Sequence, residues 1–227
     1  MVALTHTPMN RHRLETIENT SDLRIMRLVL SSFPTNAYIV ACPQTGHSAL
    51  IDVPPGGPTI VKHLKGTTLR CMLLTHNHID HIGGLAATRA RVMAPLAVHA
   101  SDNKRWLPFP PEIVLKDGDS IRVGNVSIRA RHTPGHTPGS MCFKIGDYLM
   151  SGDTMYAGGP GGTTSPTDFR RIVESIGSRI MVLPDETRIC PGHGEPTVLK
   201  KEKAEFAVFS SRPHDPNLCG DVTWLSS

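Results

Sequence analysis

The chain has few of the features that mark a membrane protein, a nucleic-acid binder or a secreted disulfide scaffold. Its 227 residues include five cysteines, widely spaced and never in a Cys-x-x-Cys pair. An odd, scattered set reads as reduced, mostly buried thiols of a cytoplasmic protein rather than a disulfide framework. No uninterrupted apolar stretch approaches the ~18 residues that a membrane span needs. Residues 1–20 form a polar segment with His6, Arg11, His12 and Arg13, and lack the apolar run of a secretory leader. Aromatic residues make up only 5% of the chain, so single-stranded nucleic acid would find few stacking platforms. The net charge is +4, and the basic residues are scattered apart from pairs such as Arg170-Arg171 and Lys200-Lys201. No basic stripe tracks a phosphate backbone. The expected partner is a small molecule, not a nucleic acid or a membrane.

What is present is a core-forming chain. Hydrophobic residues make up 39%, enough for one large domain. Short runs rich in Ile, Val and Leu, bounded by turn residues, predict strands at Leu23–Leu30, Ala37–Ala41, Ala49–Val53, Cys71–Thr75, Leu96–His99, Ile113–Leu115, Ser120–Val123, Val126–Arg131, Met141–Ile145, Tyr148–Met150 and Thr187–Cys190. Helical spacing recurs at Thr59–Lys65, Leu85–Ala90, Asp168–Ile180 and Leu199–Phe209. Strands meander in each half, interrupted by helices. That order predicts a layered α/β fold, two packed sheets with helices outside, in one domain over residues 21–210 and a tail at 211–227. The longest irregular stretch is Ala157–Thr167.

The strongest feature is Thr75-His76-Asn77-His78-Ile79-Asp80-His81-Ile82-Gly83-Gly84, four possible metal ligands directly after an apolar strand. Residues two apart in extended chain project to one side, so His76 and His78 can reach one ion. The following turn can aim Asp80 and His81 at a second, with Gly83-Gly84 allowing a sharp turn into the helix. Imidazole with carboxylate suits Zn²⁺, and also Fe or Mn. Three more residues have the right character: His136 in a Pro/Gly turn, Asp153 just past the strand Tyr148–Met150, and His193 in Pro191-Gly192-His193-Gly194 past the strand Thr187–Cys190. All lie at strand ends or adjoining turns, where ligands from one edge of a sheet core can converge. His99 and His132 read as surface or supporting residues, and Trp106-Leu107-Pro108-Phe109 as an apolar loop that caps the core or walls a pocket.

The order His-x-His-x-Asp-His, then His, Asp and His, resembles the metallo-β-lactamase-fold metallohydrolases, and most closely their hydroxyacylglutathione hydrolase (glyoxalase II) branch. The resemblance runs from about Phe33 to about Lys200. It implies an αββα four-layer sandwich of two mixed β-sheets with outer helices. It also implies two divalent metal ions per chain, zinc first, with iron or manganese as alternatives. Carried over, His76, His78 and His136 would bind the first metal, Asp80, His81 and His193 the second, and Asp153 would bridge them. Asp52 would stand behind the ligands. The implied activity is hydrolysis of a thioester or related ester by a metal-activated hydroxide, with Asp80 orienting the nucleophile and Tyr156 assisting at the carbonyl oxygen.

Within that superfamily the rivals can be ordered. Flavodiiron-type reductases have a glutamate where this chain has His78. Dedicated metallo-β-lactamases are usually exported. Acyl-homoserine lactonases come second, because they resemble this chain in placing a tyrosine, here Tyr156, three positions after the bridging aspartate. Mononuclear iron persulfide dioxygenases, or a non-hydrolytic metal-binding module, come third. Two departures from glyoxalase II stand out. Only thirty-four residues follow His193, which fits a short form without the C-terminal helical domain, and the loop Ala157–Thr167 holds no Lys or Arg to meet glutathione.

Overall fold

The computed structural model describes residues 13–103 and 106–226; His6 and His12 lie outside them. Seven strands form the first sheet: β1 (Arg13–Asn19), β2 (Arg24–Leu30), β3 (Thr35–Cys42), β4 (His47–Ile51), β5 (Thr68–Leu73), β6 (Leu96–His99) and β7 (Ile113–Leu115). They lie side by side in chain order, antiparallel through β4 and parallel from β4 to β7. The second sheet contains β8 (Ser120–Val123), β9 (Val126–His132), β10 (Met141–Ile145), β11 (Tyr148–Gly152), β14 (Arg188–Pro191) and β15 (Thr197–Val198), in the order β15-β14-β11-β10-β9-β8. Only β11 and β14 pair in parallel there. Between them in sequence, β12 (Met155–Tyr156) and β13 (Gly159–Pro160) make a small hairpin.

The two-residue period of the strands builds the layers. On β3, Tyr38, Val40 and Cys42 face a core shared with Phe143 and Met150 of the second sheet. Ala37 and Ile39, one step out of phase, pack with Ile60, Leu64 and Leu85 from α1 (Gly57–Leu64) and α3 (Leu85–Arg89). β3 is buried on both faces, which is why it reads as a continuous apolar run. On the far side, Cys142 and Leu149 pack with Phe169, Ile172 and Phe209 from α4 (Pro166–Ser175) and α5 (Leu199–Ser210). The result is the four-layer sandwich of two mixed sheets expected from the sequence. Among the described residues, no helix is long and apolar enough to cross a membrane. All five cysteines are free thiols, four of them buried.

Several segments differ from the sequence expectation. The polar segment 1–20 contributes β1, an edge strand with one buried apolar residue, Ile17, and too little hydrophobic alternation to announce itself. The helix expected over Asp168–Ile180 begins two residues earlier, where Ser165 accepts the Asp168 N–H and Pro166 supplies the first turn, and it loosens into a π-helical turn at Ile176–Ile180. The residues read as a tail are packed: Trp224 is fully buried against Phe206 and Phe209, and Gly220 bridges Thr163. Gly83 and Gly84 are not needed for an unusual turn, since their φ values are −62° and −91°. They permit close approach: a Cβ on Gly84 would lie 2.2 Å from the Pro54 carbonyl oxygen. That contact seats α2 (Ile79–Ile82) against the end of β4.

Candidate metal centre

Every residue singled out as a ligand, and Asp52 expected behind them, sits at one edge of the sandwich. Asp52 follows β4, His76 to His81 follow β5, His136 lies in the β9–β10 turn, Asp153 follows β11 and His193 follows β14. The side chains converge. His78 Nδ1 lies 2.9 Å from His136 Nε2. Around Asp153, the Nε2 atoms of His81, His193, His136 and His76 stand 3.3, 3.4, 3.6 and 3.9 Å from its carboxylate oxygens. Asp80 Oδ2 lies 3.1 Å from His193 Nε2 and 3.4 Å from His81 Nε2. The donors fall into three overlapping groups, His76/His78/His136, His76/His81/Asp153 and Asp80/His81/His193, each with its atoms within 4.8 Å of one another.

The backs of the rings are held. His136 Nδ1 donates to the Gly162 carbonyl and His193 Nδ1 to the Pro34 carbonyl, both at 2.7 Å. His81 Nδ1 donates to Asp52 at 2.8 Å, and His76 Nδ1 meets the Thr75 hydroxyl, which itself donates to Asp52 at 2.7 Å. With Nδ1 occupied on His76, His81, His136 and His193, the Nε2 of each is directed at the centre, whereas His78 turns its Nδ1 inward. Asp52 has a left-handed backbone, φ 57°, an uncommon conformation outside glycine that its carboxylate's two-sided role accounts for.

The centre has the chemistry of a cation site. His76 Nε2 and Asp153 Oδ1 are buried yet have no hydrogen-bond partner, an arrangement that costs energy unless a cation meets both. Gly192 completes the cradle, because a Cβ there would lie 2.1 Å from Asp153 Oδ1. Burial holds the His76 imidazole well below its usual range, as a neutral ligand must be. Burial also opposes a charge on His81 and His193, but the carboxylates prevail: Asp153 and Asp52 hold His81 well above the usual range, and Asp153 with Asp80 pushes His193 up to about 10. Without an ion, these protons balance the buried carboxylates. The His/Asp clusters are consistent with a binuclear metal site, and the residues present fit it.

Tyr156 stands at the rim, its ring 6.2 Å from that of His193. Burial and the Asp153 carboxylate raise its phenol pKa far above the usual value, so the hydroxyl stays a donor. His99 and His132 are stacked on each other at 3.9 Å, apart from the donor groups. The loop Trp106–Phe109 divides in role: Leu107 and Phe109 pack on the core, while Trp106 lines a cleft of about 450 Å³ beside His78 and Asp80. The loop Ala157–Thr167 backs the centre through Gly162.

Supporting residues went unnoticed in the sequence. Arg27, Asn36 and Tyr38, buried on β2 and β3, donate to the carbonyls of Pro191 and Gly194 and so hold the His193 turn. Asp102 accepts from the Thr137 hydroxyl at 2.8 Å and the Gly139 N–H at 2.9 Å, while its carbonyl takes Asn77 Nδ2 at 3.1 Å. The available signal was a polar residue inside an otherwise apolar strand, as with Asn36.

Comparison with known proteins agrees with this geometry. The metallo-beta-lactamase superfamily pattern matches residues 31–193. A hydroxyacylglutathione hydrolase of Cereibacter sphaeroides is 38% identical over 161 residues, covering 69% of this chain and 61% of that protein. The chain thus spans about three fifths of the length of the curated relatives it matches. The crystal structure of BLEG-1 B3 metallo-beta-lactamase superimposes with a TM-score of 0.72 at 25% identity, over 79% of this chain and 96% of that one. TTHA1623, solved in a di-iron-bound form, gives a TM-score of 0.65 at 28% identity, over 78% of this chain and 96% of that one. By ligand order, by fold and by a match over most of its length, the chain belongs to the metallo-beta-lactamase superfamily.

Proposed function

We propose that the protein is a metal-dependent hydrolase of a thioester or related ester, similar to hydroxyacylglutathione hydrolase. The observation that carries this reading is the convergence of seven donors on one edge, with the buried His76 Nε2 and Asp153 Oδ1 left without a hydrogen bond among the described residues. In this reading His76, His78 and His136 hold one divalent ion, Asp80, His81 and His193 hold a second, and Asp153 touches both. Zinc suits this donor set best, with iron or manganese as alternatives. Bound there, a pair of such ions supplies Lewis acidity and brings the deprotonation of water near neutral pH.

The chain's own residues complete the chemistry. Asp80 takes the Thr35 hydroxyl as a donor at 3.3 Å, which leaves its carboxylate fixed to align a water at the centre. The Tyr156 hydroxyl, protonated at all relevant pH, donates toward an oxygen that gains charge as a carbonyl is attacked. Water adds to the acyl carbon, the C–S or C–O bond breaks, and the thiolate or alkoxide leaves to be protonated. The support from named relatives points to a glutathione thioester. The position of Tyr156 favours a second reading, lactone opening, in which the poorer leaving group needs the phenol more.

The test is a side-by-side rate comparison of metal-loaded protein on S-lactoylglutathione, an acyl-homoserine lactone, a β-lactam and glutathione persulfide, with metal content measured on the same sample. Fastest turnover of the thioester supports the first reading. Fastest turnover of the lactone supports the second. Oxygen consumption with the persulfide on a single iron, and no hydrolysis, would overturn both.

A further inference from the structure

The chain is poor in aromatics, with six Phe, three Tyr and two Trp, yet three of these ring the proposed centre. Phe33 packs edge-on to His193 at 4.9 Å between ring centroids, Tyr156 faces the same histidine, and Trp106 lines the cleft beside His78 and Asp80. Two of them are unusually open: Phe33 is 64% exposed and Trp106 61%, and Ile79, between His78 and Asp80, is 65% exposed. Large apolar side chains gathered at a cleft mark a binding surface, because each forfeits the burial that would otherwise stabilise it. Trp106 is held in this position. Leu107 and Phe109 anchor the loop in the core, Arg89 lies over the Phe109 ring at 4.4 Å, and Trp106 itself has φ 72°, a strained value for a bulky residue.

The composition of the cleft narrows the ligand. Its described lining is His78, Ile79, Asp80 and Trp106, with Ile79 and Trp106 supplying apolar surface, and its volume of about 450 Å³ is within the range of small-molecule pockets. The floor of the cleft is formed by two of the proposed metal ligands, so its occupant is part of the substrate. Resting on the hydrolase reading above, we propose that this cleft binds an apolar acyl chain of the ester or thioester, and that the preferred substrates are acyl esters with aliphatic tails longer than lactoyl or acetyl.

The experiment uses zinc-reconstituted full-length protein and thioesters of N-acetylcysteamine with unbranched acyl chains from acetyl to decanoyl. Each added methylene that reaches the cleft should raise kcat/KM about two- to fourfold until the cleft is full. Trp106→Ala and Phe33→Ala should flatten that slope, whereas Met93→Ala, in a separate groove, should keep it. A flat or falling dependence on chain length, or a slope that survives both aromatic substitutions, would overturn the inference. Octanoate binding gives a reading that does not depend on turnover. Trp224, the other tryptophan, is fully buried, so octanoate should perturb the emission of Trp106 at concentrations far below those of acetate, and the response should vanish in Trp106→Phe. Equal responses to octanoate and acetate would also overturn it. If no thioester is turned over, the hydrolase reading fails, and octanoate binding decides the cleft's role alone.

Discussion

Asp102 offers a demanding test of how the centre is held, because it touches no proposed ligand yet ties two ligand-bearing loops together. It is 1% exposed, and its carboxylate accepts from Thr137 and Gly139, the residues just after His136, while its carbonyl receives the side chain of Asn77 between His76 and His78. Asp102→Ala removes two charge-assisted hydrogen bonds and leaves the buried Gly139 N–H without an acceptor. At ~1.5–3 kcal/mol for each bond to a charged group, with partial relaxation, the fold should lose about 3–5 kcal/mol. The His136 turn keeps other supports, notably Thr133 N–H to Ser140 and the Ser175 hydroxyl to Pro134, so it should loosen rather than unfold. Loss of such outer support typically lowers metal affinity 10- to 100-fold. The loss should fall on the His76/His78/His136 group and spare the group containing His193. Asp102→Asn should recover most of the loss, since its amide oxygen still accepts from Gly139 and its NH₂ can donate to Thr137 once that hydroxyl turns to Ser140, 2.8 Å away. The assay is a zinc titration against a chelator of known affinity, beside urea unfolding of each metal-free variant. Unchanged affinity at both sites in Asp102→Ala would refute the reasoning, as would equal weakening of both.

Three other outcomes follow from the geometry. His193→Ala should bind one ion per chain instead of two, read by elemental analysis, because the first group keeps His76, His78, His136 and Asp153. Zinc binding should release protons at pH 7, because His193, pushed up to about 10, and His81, held well above its usual range, are protonated before the ion arrives; calorimetry in buffers of different ionisation enthalpy should show that release and a gain in apparent affinity as pH rises toward 10. The sign reverses for the metal-free fold: a histidine with a raised folded pKa stabilises fully below its unfolded value near 6.5, and that contribution fades as pH climbs through about 10. Tyr156→Phe should lower lactone hydrolysis by roughly 10²–10³, the effect of losing one oxyanion donor, and thioester hydrolysis far less; equal effects on both would remove the case for the lactone reading.

How much of this was legible in the residues depended on the kind of signal. The His76–His81 cluster was readable because extended chain places alternate residues on one side, and because the strand before it is plainly apolar. His136, Asp153 and His193 were individually faint, and only their shared position at strand ends joined them. The strands buried on both faces were equally plain. What stayed hidden was long-range. Asp102 lies 35 residues from Thr137, and Arg27 lies 167 residues from Gly194, so no local pattern couples them. β1 was invisible because an edge strand with one buried side chain looks like polar coil. The glycines after His81 were legible as necessary but not for the right reason: the need is for space beside Pro54, which only the packed structure reveals.

The central claim is that seven side chains at one edge of the sandwich hold two divalent ions. It is tested most directly by metal stoichiometry. Full-length protein would be stripped with chelator, reloaded with zinc, passed through a desalting column, and assayed for metal and protein in the same sample. Two tightly held ions per chain are expected. One ion or none, repeated with iron and manganese, would contradict it.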